Sequence, residues 1–350
     1  MVALHVIKTL QNLDYKVSIV TDNYEPSEVE RYFRMGKIME ECDPVQVPAF
    51  KPVLSRFLAL QQLAYARRLM RLLRSIKADL AFSTQSILYY IPEIMTFHIV
   101  YDMADLFEVA SSGYALGPLA RVWKKPYYMI LRRLLHTGLK SNRLFVPLSH
   151  ALEQQLASIE CPHSAVVFPP CDMIFRPRRK KKQVCLVSRI APQKNIGDFM
   201  RIARKLPKRR FLLVGIHAEK YQNYAREVLS TRPQNVEYVR ARIRDRPELV
   251  EESKVYLYTS TEPGIGIALG QAMGAGCVPV TPAWGGGSEM LSAAKVGYVY
   301  RNIDEAKSLV EKSLDSEEHR DNPEVVASRS MLFSSENFEK KLAGIIQNSS

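Results

Sequence analysis

Val255 to Tyr258 reads VYLY, and from Thr261 to Met273 the chain continues TEPGIGIALGQAM. A short apolar run is thus followed by a carboxylate, Glu262, then by glycines, and then by an apolar pattern with helical spacing. Strand, turn and helix in this order are the unit from which parallel sheets are built. The glycines allow two interpretations: they mark the turn, or they leave room for a polar ligand to approach bare backbone.

The same strand–helix alternation recurs along the chain and predicts an α/β protein with two doubly wound parallel-sheet domains facing a cleft. We expect domains at 1–172 and 173–334, and a C-terminal helix at 335–350 that packs back across the hinge. The predicted strands are Val17–Val20, Leu80–Phe82, Ile99–Tyr101, Val184–Val187, Phe211–Val214, Val236–Val239, Val255–Tyr258 and Val278–Val280.

Two segments deviate from this pattern. Arg176 to Lys182 is strongly basic and is interpreted as a solvated connector that lies outside any core, in preference to a phosphate-binding segment. Val2 to Leu13 predicts a helix, whereas a doubly wound domain normally opens with a strand and a tight glycine loop. We therefore expect either that Met1 is an internal methionine of a longer chain or that the product lacks one strand, and we favour the longer chain.

Composition narrows the function classes. The 350 residues carry a net charge of +13, with 47% hydrophobic and 24% charged residues, which is ordinary for a globular protein apart from the charge. The charge favours an anionic partner or simply a soluble surface. No apolar run is long enough to span a bilayer or to act as a signal peptide, and the five scattered cysteines show neither metal nor disulfide spacing. A reducing cytoplasm is the expected compartment.

Arg189 and Lys194 follow the strand that ends at Val187 and precede a helix that begins near Gly197. Two cations beside a helix amino terminus suit a diphosphate, although two exposed loop cations would give the same pattern. Trp284 to Met290 (WGGGSEM) follows the last predicted strand, Val278–Val280, and is either an anion-binding turn or a flexible one. Because such turns share one edge of a doubly wound sheet, we expect these segments and Glu262 to line one crevice.

The second half resembles the nucleotide-sugar-binding domain of the group-one retaining glycosyltransferases, which have the GT-B architecture. The segments SRIAPQK, EPGIGIALGQAM and GGGSE match that family in order and spacing over most of residues 165–345. VVFPPCD at 166–172 and GCVPV at 276–280 are similar to the branch that includes lipid-linked-oligosaccharide mannosyltransferases.

The resemblance implies a role for each matching residue. Arg189 and Lys194 would neutralise the departing diphosphate, and Glu262 would hold hydroxyls of the transferred sugar. The remaining donor-binding positions implied by the family are Gly264, Ile265, Gly266, Ile267, Gln271, Gly286 and Gly287. No Asp-x-Asp motif is present, so we expect transfer without a metal or other cofactor, through electrostatic stabilisation by these groups.

The chain departs from the family at two places. Gln271 replaces the second of two family glutamates, and one extra residue follows Glu262; a neutral amide binds a ribose hydroxyl more weakly than a carboxylate. Where the family often has a histidine near the reaction centre, this chain has Tyr101-Asp102-Met103-Ala104. Asp102 is either an acceptor contact or a cap after the strand, and His98 is interpreted as a strand residue.

Two basic amphipathic segments, Ser55 to Arg74 and Val122 to Lys140, lie in the half expected to bind the acceptor. Each is a plain core-facing helix with a basic outer face or a contact with an anionic membrane surface. We favour the contact with a membrane surface. The predicted function is therefore transfer of a hexose, mannose or glucose, from a nucleoside-diphosphate sugar to a lipid-linked or glycan acceptor at the inner, cytoplasmic face of the membrane. The alternatives are a non-catalytic sugar-nucleotide-binding scaffold and a nucleic-acid-binding protein; no stacking platform or recognition helix supports the latter.

Overall fold

The computed structural model describes residues 1–49, 58–84, 90–91, 93–101, 142–172, 176, 178–262 and 264–349. The chain divides into two compact units, one formed by Met1–Val167 together with Glu339–Ser350 and the other by Phe168–Phe338. The sequence placed the boundaries at 172 and 334, a few residues away on each side. Both units are α/β with parallel sheets, which confirms the predicted fold class.

The second unit contains a six-stranded parallel sheet with the order β11-β10-β9-β6-β7-β8. Numbered from the first strand of the unit, this is the 3-2-1-4-5-6 order of a doubly wound dinucleotide-binding sheet. The inner parts of its central strands are apolar and buried, as expected for a parallel sheet covered on both faces, whereas the edge strands are partly exposed. The strands are β6 (Lys181–Val187), β7 (Arg210–Val214), β8 (Val236–Val239), β9 (Ser253–Leu257), β10 (Val278–Pro282) and β11 (Tyr298–Tyr300).

Helices connect successive strands of this sheet, and further helices follow its last strand. They are α6 (Ile196–Lys205), α7 (Gln222–Ser230), α8 (Glu248–Glu251), α9 (Ile267–Gly274), α10 (Gly286–Ala294), α11 (Ile303–Asp315) and α12 (Pro323–Ser330). Side-chain caps fix two helix starts: Asn302 Oδ1 accepts from Glu305 N at 2.9 Å, and Asn322 Oδ1 accepts from Glu324 N at 2.8 Å. The α11 helix packs on β9, β10 and β11 and against α6, so its apolar face lies in the core of the unit.

The basic connector is solvent-exposed, as expected, but it is tied to the second unit by ion pairs and hydrogen bonds. Strand β6 already begins at Lys181, and Lys180 Nζ donates to the carbonyl oxygens of Glu251 and Ala275 at 2.8 and 2.7 Å. Arg178 Nε lies 2.8 Å from Glu251 Oε2, and Lys182 Nζ lies 2.9 Å from Asp315 Oδ1. The described residues of this segment are exposed or half-buried, as expected for a segment outside the core, but acidic side chains and carbonyl groups of the second unit pair with several of its charges.

In the first unit the strands form two separate parallel sheets. One pairs β1 (Ser18–Thr21) with β2 (Asp43–Gln46), and the other has the order β3-β4-β5, formed by Leu80–Ser83, Met95–Val100 and Arg143–Pro147. Strand β4 begins earlier than the predicted Ile99. The helices are α1 (Val2–Asn12), α2 (Pro26–Phe33), α3 (Gly36–Glu40), α4 (Leu58–Leu73) and α5 (His150–Ser158).

The last helix, α13 (Ser335–Ser349), begins in the second unit and continues into the first. Ser335 N donates to Asp172 Oδ1 at 2.7 Å near its start. In the first unit Glu339 Oε1 lies 2.8 Å from His5 Nδ1 and 2.9 Å from Lys8 Nζ. These contacts join the C-terminal helix to α1.

Candidate active site

The predicted donor-side residues lie where the strand order of the six-stranded sheet reverses. Strands β6 and β9 are neighbours in the sheet although two strands separate them in sequence. Arg189 and Lys194 follow β6, and Glu262 follows β9. Ligands of doubly wound sheets bind in the crevice at such a switch point, outside the carboxyl ends of the strands.

Lys194 and Glu262 form an ion pair through Nζ and Oε2. The lysine side chain is 19% exposed and the glutamate side chain 38% exposed, so the pair is partly screened by solvent. Lys194 ends a short 3₁₀ turn, Pro192–Lys194, and the next residue, Asn195, has φ of 49°. The sequence thus predicted two residues from distant segments that the fold brings into direct contact.

A small polar network holds this pair in place. Thr259 Oγ1 donates to the carbonyl oxygen of Lys194 at 2.8 Å, and Ser260 Oγ donates to Glu262 Oε2 at 3.2 Å. Asn195 Nδ2 donates to the carbonyl oxygen of Thr259 at 3.3 Å. These bonds join the loop after β6 to the loop after β9, so the geometry of the ion pair is fixed from both sides.

Arg189 is exposed and, in the part of the chain that the structure describes, forms no ion pair. Its charge acts on Tyr221, whose pKa is lowered chiefly by the hydrogen bond from Gln193 and further by Lys220 and Arg189. Gln193 Nε2 donates to Tyr221 Oη at 3.4 Å. Arg189 and Lys194 lie on the same loop, after β6. Among the described residues the Arg189 guanidinium has no ion-pair partner, so it can bind an anion.

The glycine turns pack against each other. Gly286 N donates to the carbonyl oxygen of Glu262 at 2.9 Å, and a Cβ at Gly286 would lie 2.2 Å from the carbonyl oxygen of Gly264. Gly285 has φ of 90°, which favours glycine. The sequence linked these glycines to a ligand; in the folded chain glycine is also required at 285 and 286 because two backbone segments meet there.

Tyr258 is a residue of this site that the sequence did not identify. Its ring lies directly behind two of the glycines, since a Cβ at Gly266 or Gly287 would come within 2.9 or 2.8 Å of ring atoms. Burial raises the pKa of Tyr258 to about 12, and Ser260 hydrogen-bonds to it. The only signal in the sequence was a tyrosine where the apolar run VYLY ends, which also fits a plain strand terminus.

The helices α9 and α10 begin at these turns. The first N–H groups of a helix have no partner within the helix, and the amino terminus carries partial positive charge. Ile267 and Gly286 are the first residues of α9 and α10, so both termini lie beside the Glu262 loop. Gln271 lies on α9 and is 8% exposed, with no hydrogen bond from its side chain to the described residues.

On the acceptor side, Asp102 and the segment 122–140 lie outside the described residues. His98 lies within β4 and is 1% exposed, stacked on Phe145 with ring centroids 4.8 Å apart. Burial, followed by the charge of Arg143, lowers the pKa of His98 to about 3. This neutral, enclosed imidazole agrees with its interpretation as a strand residue.

The described residues contain neither a metal-binding cluster nor a membrane-spanning helix. Within the described ranges, no cluster of three or more His, Cys, Asp or Glu side chains is arranged to hold a metal ion. No helix in those ranges combines the length and apolar character needed to cross a bilayer.

Comparison with known proteins extends these observations. Residues 173–328 match the family model described as "Glycosyl transferases group 1". A search of curated proteins finds no match.

The solved structures with similar folds are glycosyltransferases of GT-B architecture. HepE from Anabaena in complex with UDP has 14% identity and a TM-score of 0.67, over 95% of this chain and 100% of that one. WaaG, a glycosyltransferase involved in lipopolysaccharide biosynthesis, has 16% identity and a TM-score of 0.66, over 98% and 94%. Sucrose-phosphate synthase from Thermosynechococcus elongatus has 11% identity and a TM-score of 0.72, over 99% and 91%. At these identities the similarity establishes the fold, two Rossmann-like domains of the GT-B type.

Proposed function

We propose that this glycosyltransferase, whose residues 173–328 match the group 1 family model, transfers a hexose, mannose or glucose, from a nucleoside-diphosphate sugar. The acceptor is a lipid-linked or other glycan, the anomeric configuration is retained, and no metal takes part. The observation that carries the proposal is the contact between Lys194 and Glu262 at the switch point of the second sheet. It supports a binding site for a charged ligand at the edge where doubly wound sheets bind nucleotides.

The proposed chemistry depends on charge. When the glycosidic bond to the donor breaks, negative charge builds up on the departing diphosphate. Lys194 exchanges the Glu262 carboxylate for phosphate oxygens, and the unpaired Arg189 adds a second cation. The amino termini of α9 and α10 contribute fixed partial charges that need no reorganisation during the reaction.

Glu262 has a complementary role in this proposal. Once Lys194 turns to the diphosphate, the carboxylate is free to accept hydrogen bonds from hydroxyl groups of the transferred sugar. Ser260 keeps it oriented, because its hydroxyl donates to Glu262 Oε2. Gln271 binds the ribose as a neutral group, so donor affinity is expected to be modest.

The test is a transfer assay over a panel of donors. The purified chain is incubated with UDP-, GDP- and ADP-linked glucose and mannose, with lipid-linked and soluble glycan acceptors, in the presence of EDTA. We expect one donor to release its nucleoside diphosphate in step with a glycosylated product whose anomeric configuration, read by NMR, matches the donor. Binding of a donor without release or transfer would instead support a non-catalytic scaffold, which Gln271 in place of a glutamate favours.

We also propose that the acceptor is reached at an anionic membrane surface, on the inner, cytoplasmic face of the membrane. The supporting observation lies on α4, where Arg67, Arg68 and Arg71 are exposed and form no ion pair with the described residues. Leu72, between them and Arg74, is 47% exposed. Cations combined with an exposed apolar side chain suit peripheral binding to anionic lipid.

A further inference from the structure

Trp284 is a large aromatic residue that the fold leaves exposed on the turn after β10. It is 51% exposed, although tryptophan is highly buried on average in folded proteins. In the described stretch from 281 to 290 it is the only exposed residue, and its indole forms no hydrogen bond or ring contact with the described residues. Its ring face and its Nε1–H group are therefore available to a ligand.

The turn that carries Trp284 is fixed beside the Glu262 loop. After Trp284, Gly286 N donates to the carbonyl oxygen of Glu262 at 2.9 Å. Before it, Ala283 N donates to the carbonyl oxygen of Tyr300 at 2.7 Å. The main chain is thus held on both sides of the indole, so binding of a ligand there would order little further backbone.

The order of the loops along the sheet indicates which part of a substrate lies beside Trp284. Strands β6, β9 and β10 are successive neighbours, and the loops that follow them carry first Arg189 and Lys194, then Glu262, then Trp284. In a nucleoside-diphosphate sugar the diphosphate lies between the nucleoside and the sugar. With the diphosphate at the two cations and the sugar at Glu262, the nucleoside extends away from the β10 loop. Trp284 therefore lies on the sugar side of the donor.

Burial along the same turn separates the donor's sugar from the indole. Gly286 and Gly287, which the family resemblance places at the donor's sugar, are buried against Gly264 and Tyr258. Trp284 precedes them at the exposed end of the turn. The transferred sugar is therefore expected at the buried glycines, and the indole at the rim of the site, where the second substrate enters. Aromatic side chains commonly line such sites.

We propose that Trp284 binds a sugar ring of the acceptor, so that the acceptor ends in a hexopyranose and is not a bare lipid phosphate. The inference rests on the proposed function and concerns the second substrate of the same site. One face of a hexopyranose ring carries mainly C–H groups, and its hydroxyl groups lie around the edge. The indole covers the C–H face, and Nε1–H donates to a hydroxyl oxygen at the edge. Trp284 is then a specificity-determining residue for the acceptor.

Fluorescence of Trp284 measures this contact without catalysis. The chain has two tryptophans, so Trp123→Phe leaves Trp284 as the single indole. Maltose, cellobiose and mannobiose are titrated in the presence of UDP, GDP or ADP, with the open-chain polyol sorbitol as the control. We expect a saturable change in emission with at least one disaccharide and none with sorbitol. No change with any disaccharide, or an equal change with sorbitol, would overturn the proposal.

Steady-state kinetics with the donor and acceptor that the transfer assay identifies gives the second measurement. Trp284→Ala should raise KM for the acceptor roughly tenfold, because an aromatic anchor is lost, and should leave KM for the donor within about twofold. Trp284→Phe keeps a ring face and should retain most of the acceptor affinity. Met331→Ala is the control, since Met331 is a 59% exposed apolar residue of the same unit that the site does not include.

The two measurements separate this inference from the function on which it rests. A rise in KM for the donor in place of the acceptor would assign the indole to the transferred sugar and overturn the inference. Equal effects of Trp284→Ala and Met331→Ala would also overturn it. Because the titration detects binding alone, saturable binding of a disaccharide without any transfer would contradict the proposed function while supporting the contact with Trp284.

Discussion

Lys194 and Glu262 are the residues for which the prediction from the sequence and the structure agree best. Each was identified from its place after an apolar strand, and the parallel sheet brings the two into contact because β6 and β9 are neighbours. Their contact could be anticipated because it follows from strand order. The network around them could not, since Thr259 and Ser260 are ordinary loop residues until their partners are known.

Replacing Lys194 with alanine should lower kcat by about 10²- to 10³-fold, because a preorganised charge facing the departing diphosphate is lost. The measurement is steady-state kinetics with the donor that the panel identifies. Lys208→Ala is the matched control, since Lys208 is an exposed lysine of the same unit outside the site. Equal effects of the two substitutions would contradict a role for Lys194 in transfer.

Gly286→Ala should destabilise the second unit by about 1–3 kcal/mol and weaken donor binding, because the new methyl group would meet the carbonyl oxygen of Gly264 at 2.2 Å. Chemical denaturation and a nucleotide thermal-shift assay measure the two effects. At Gly197, in the first turn of α6, an added Cβ would meet nothing within 4 Å. Gly197→Ala should therefore leave stability unchanged or raise it by about 0.5 kcal/mol; a similar loss in both variants would contradict the packing argument.

His98 should make stability fall in acid. Its pKa is about 3 in the folded chain against 6.5 ordinarily, so below pH 6.5 the unfolded chain binds a proton that the folded chain does not. The stabilisation is complete above pH 6.5 and is lost as the pH falls towards 3, by about 1.4 kcal/mol per pH unit. Denaturation curves between pH 7 and pH 4 should be flatter for His98→Phe than for the unmodified chain; parallel curves would show that His98 titrates normally.

Among the individual residues, Tyr258 shows most clearly what the sequence alone did not reveal. Its role depends on the approach of Gly266 and Gly287 from two different turns, which no local pattern encodes. The sequence singled out these glycines as donor-binding positions; in the fold they also allow segments of backbone and an aromatic ring to pack closely. Arg189 was placed correctly on its loop, yet the fold does not bring it to the ion pair.

Among the secondary-structure elements, the strands of the second unit were the most predictable, because continuous apolar runs are typical of buried parallel strands. Strands β2, β5 and β11 were missed: β2 is short and polar, β5 begins with Arg143, and β11 has only three residues. The exposure of the connector was predictable from its charge density, but its pairing with Glu251 and Asp315 was not.

The C-terminal helix gives a prediction at this scale. Glu339 is 12% exposed and binds both His5 and Lys8, so Glu339→Gln should lower the free energy of unfolding by about 2 kcal/mol. Glu336→Gln, at an exposed position one turn earlier, should cost only a few tenths of a kcal/mol through the helix dipole. Urea denaturation measures the free energy of unfolding of both variants. Equal losses would mean that the contacts of Glu339 with α1 do not contribute to stability.

For the whole molecule, the functional significance of the net charge of +13 depends on where the cations without an ion-pair partner lie. Many cations of the second unit, including the connector, are paired within that unit, whereas three arginines of α4 are exposed and unpaired among the described residues. The net charge could be predicted from the composition. Which cations form ion pairs and which do not could be seen only in the folded chain.

Binding to vesicles containing anionic phospholipid should therefore depend on α4. The triple variant Arg67→Gln, Arg68→Gln and Arg71→Gln should bind roughly 100-fold more weakly at low salt, at about 1 kcal/mol for each cation. The control removes three exposed arginines of the second unit, Arg179, Arg226 and Arg240, with the same change in charge. Cosedimentation compares them; equal losses would mean that net charge alone governs binding.

The course of α13 decides how the protein can be dissected. A fragment cut after residue 172 would keep α1 but lose Glu339 and the end of the helix that packs against it, leaving the His5 and Lys8 side chains without their carboxylate. An expressible first unit should instead splice residues 1–167 directly to 339–349, a discontinuous design that no linear deletion series would reach.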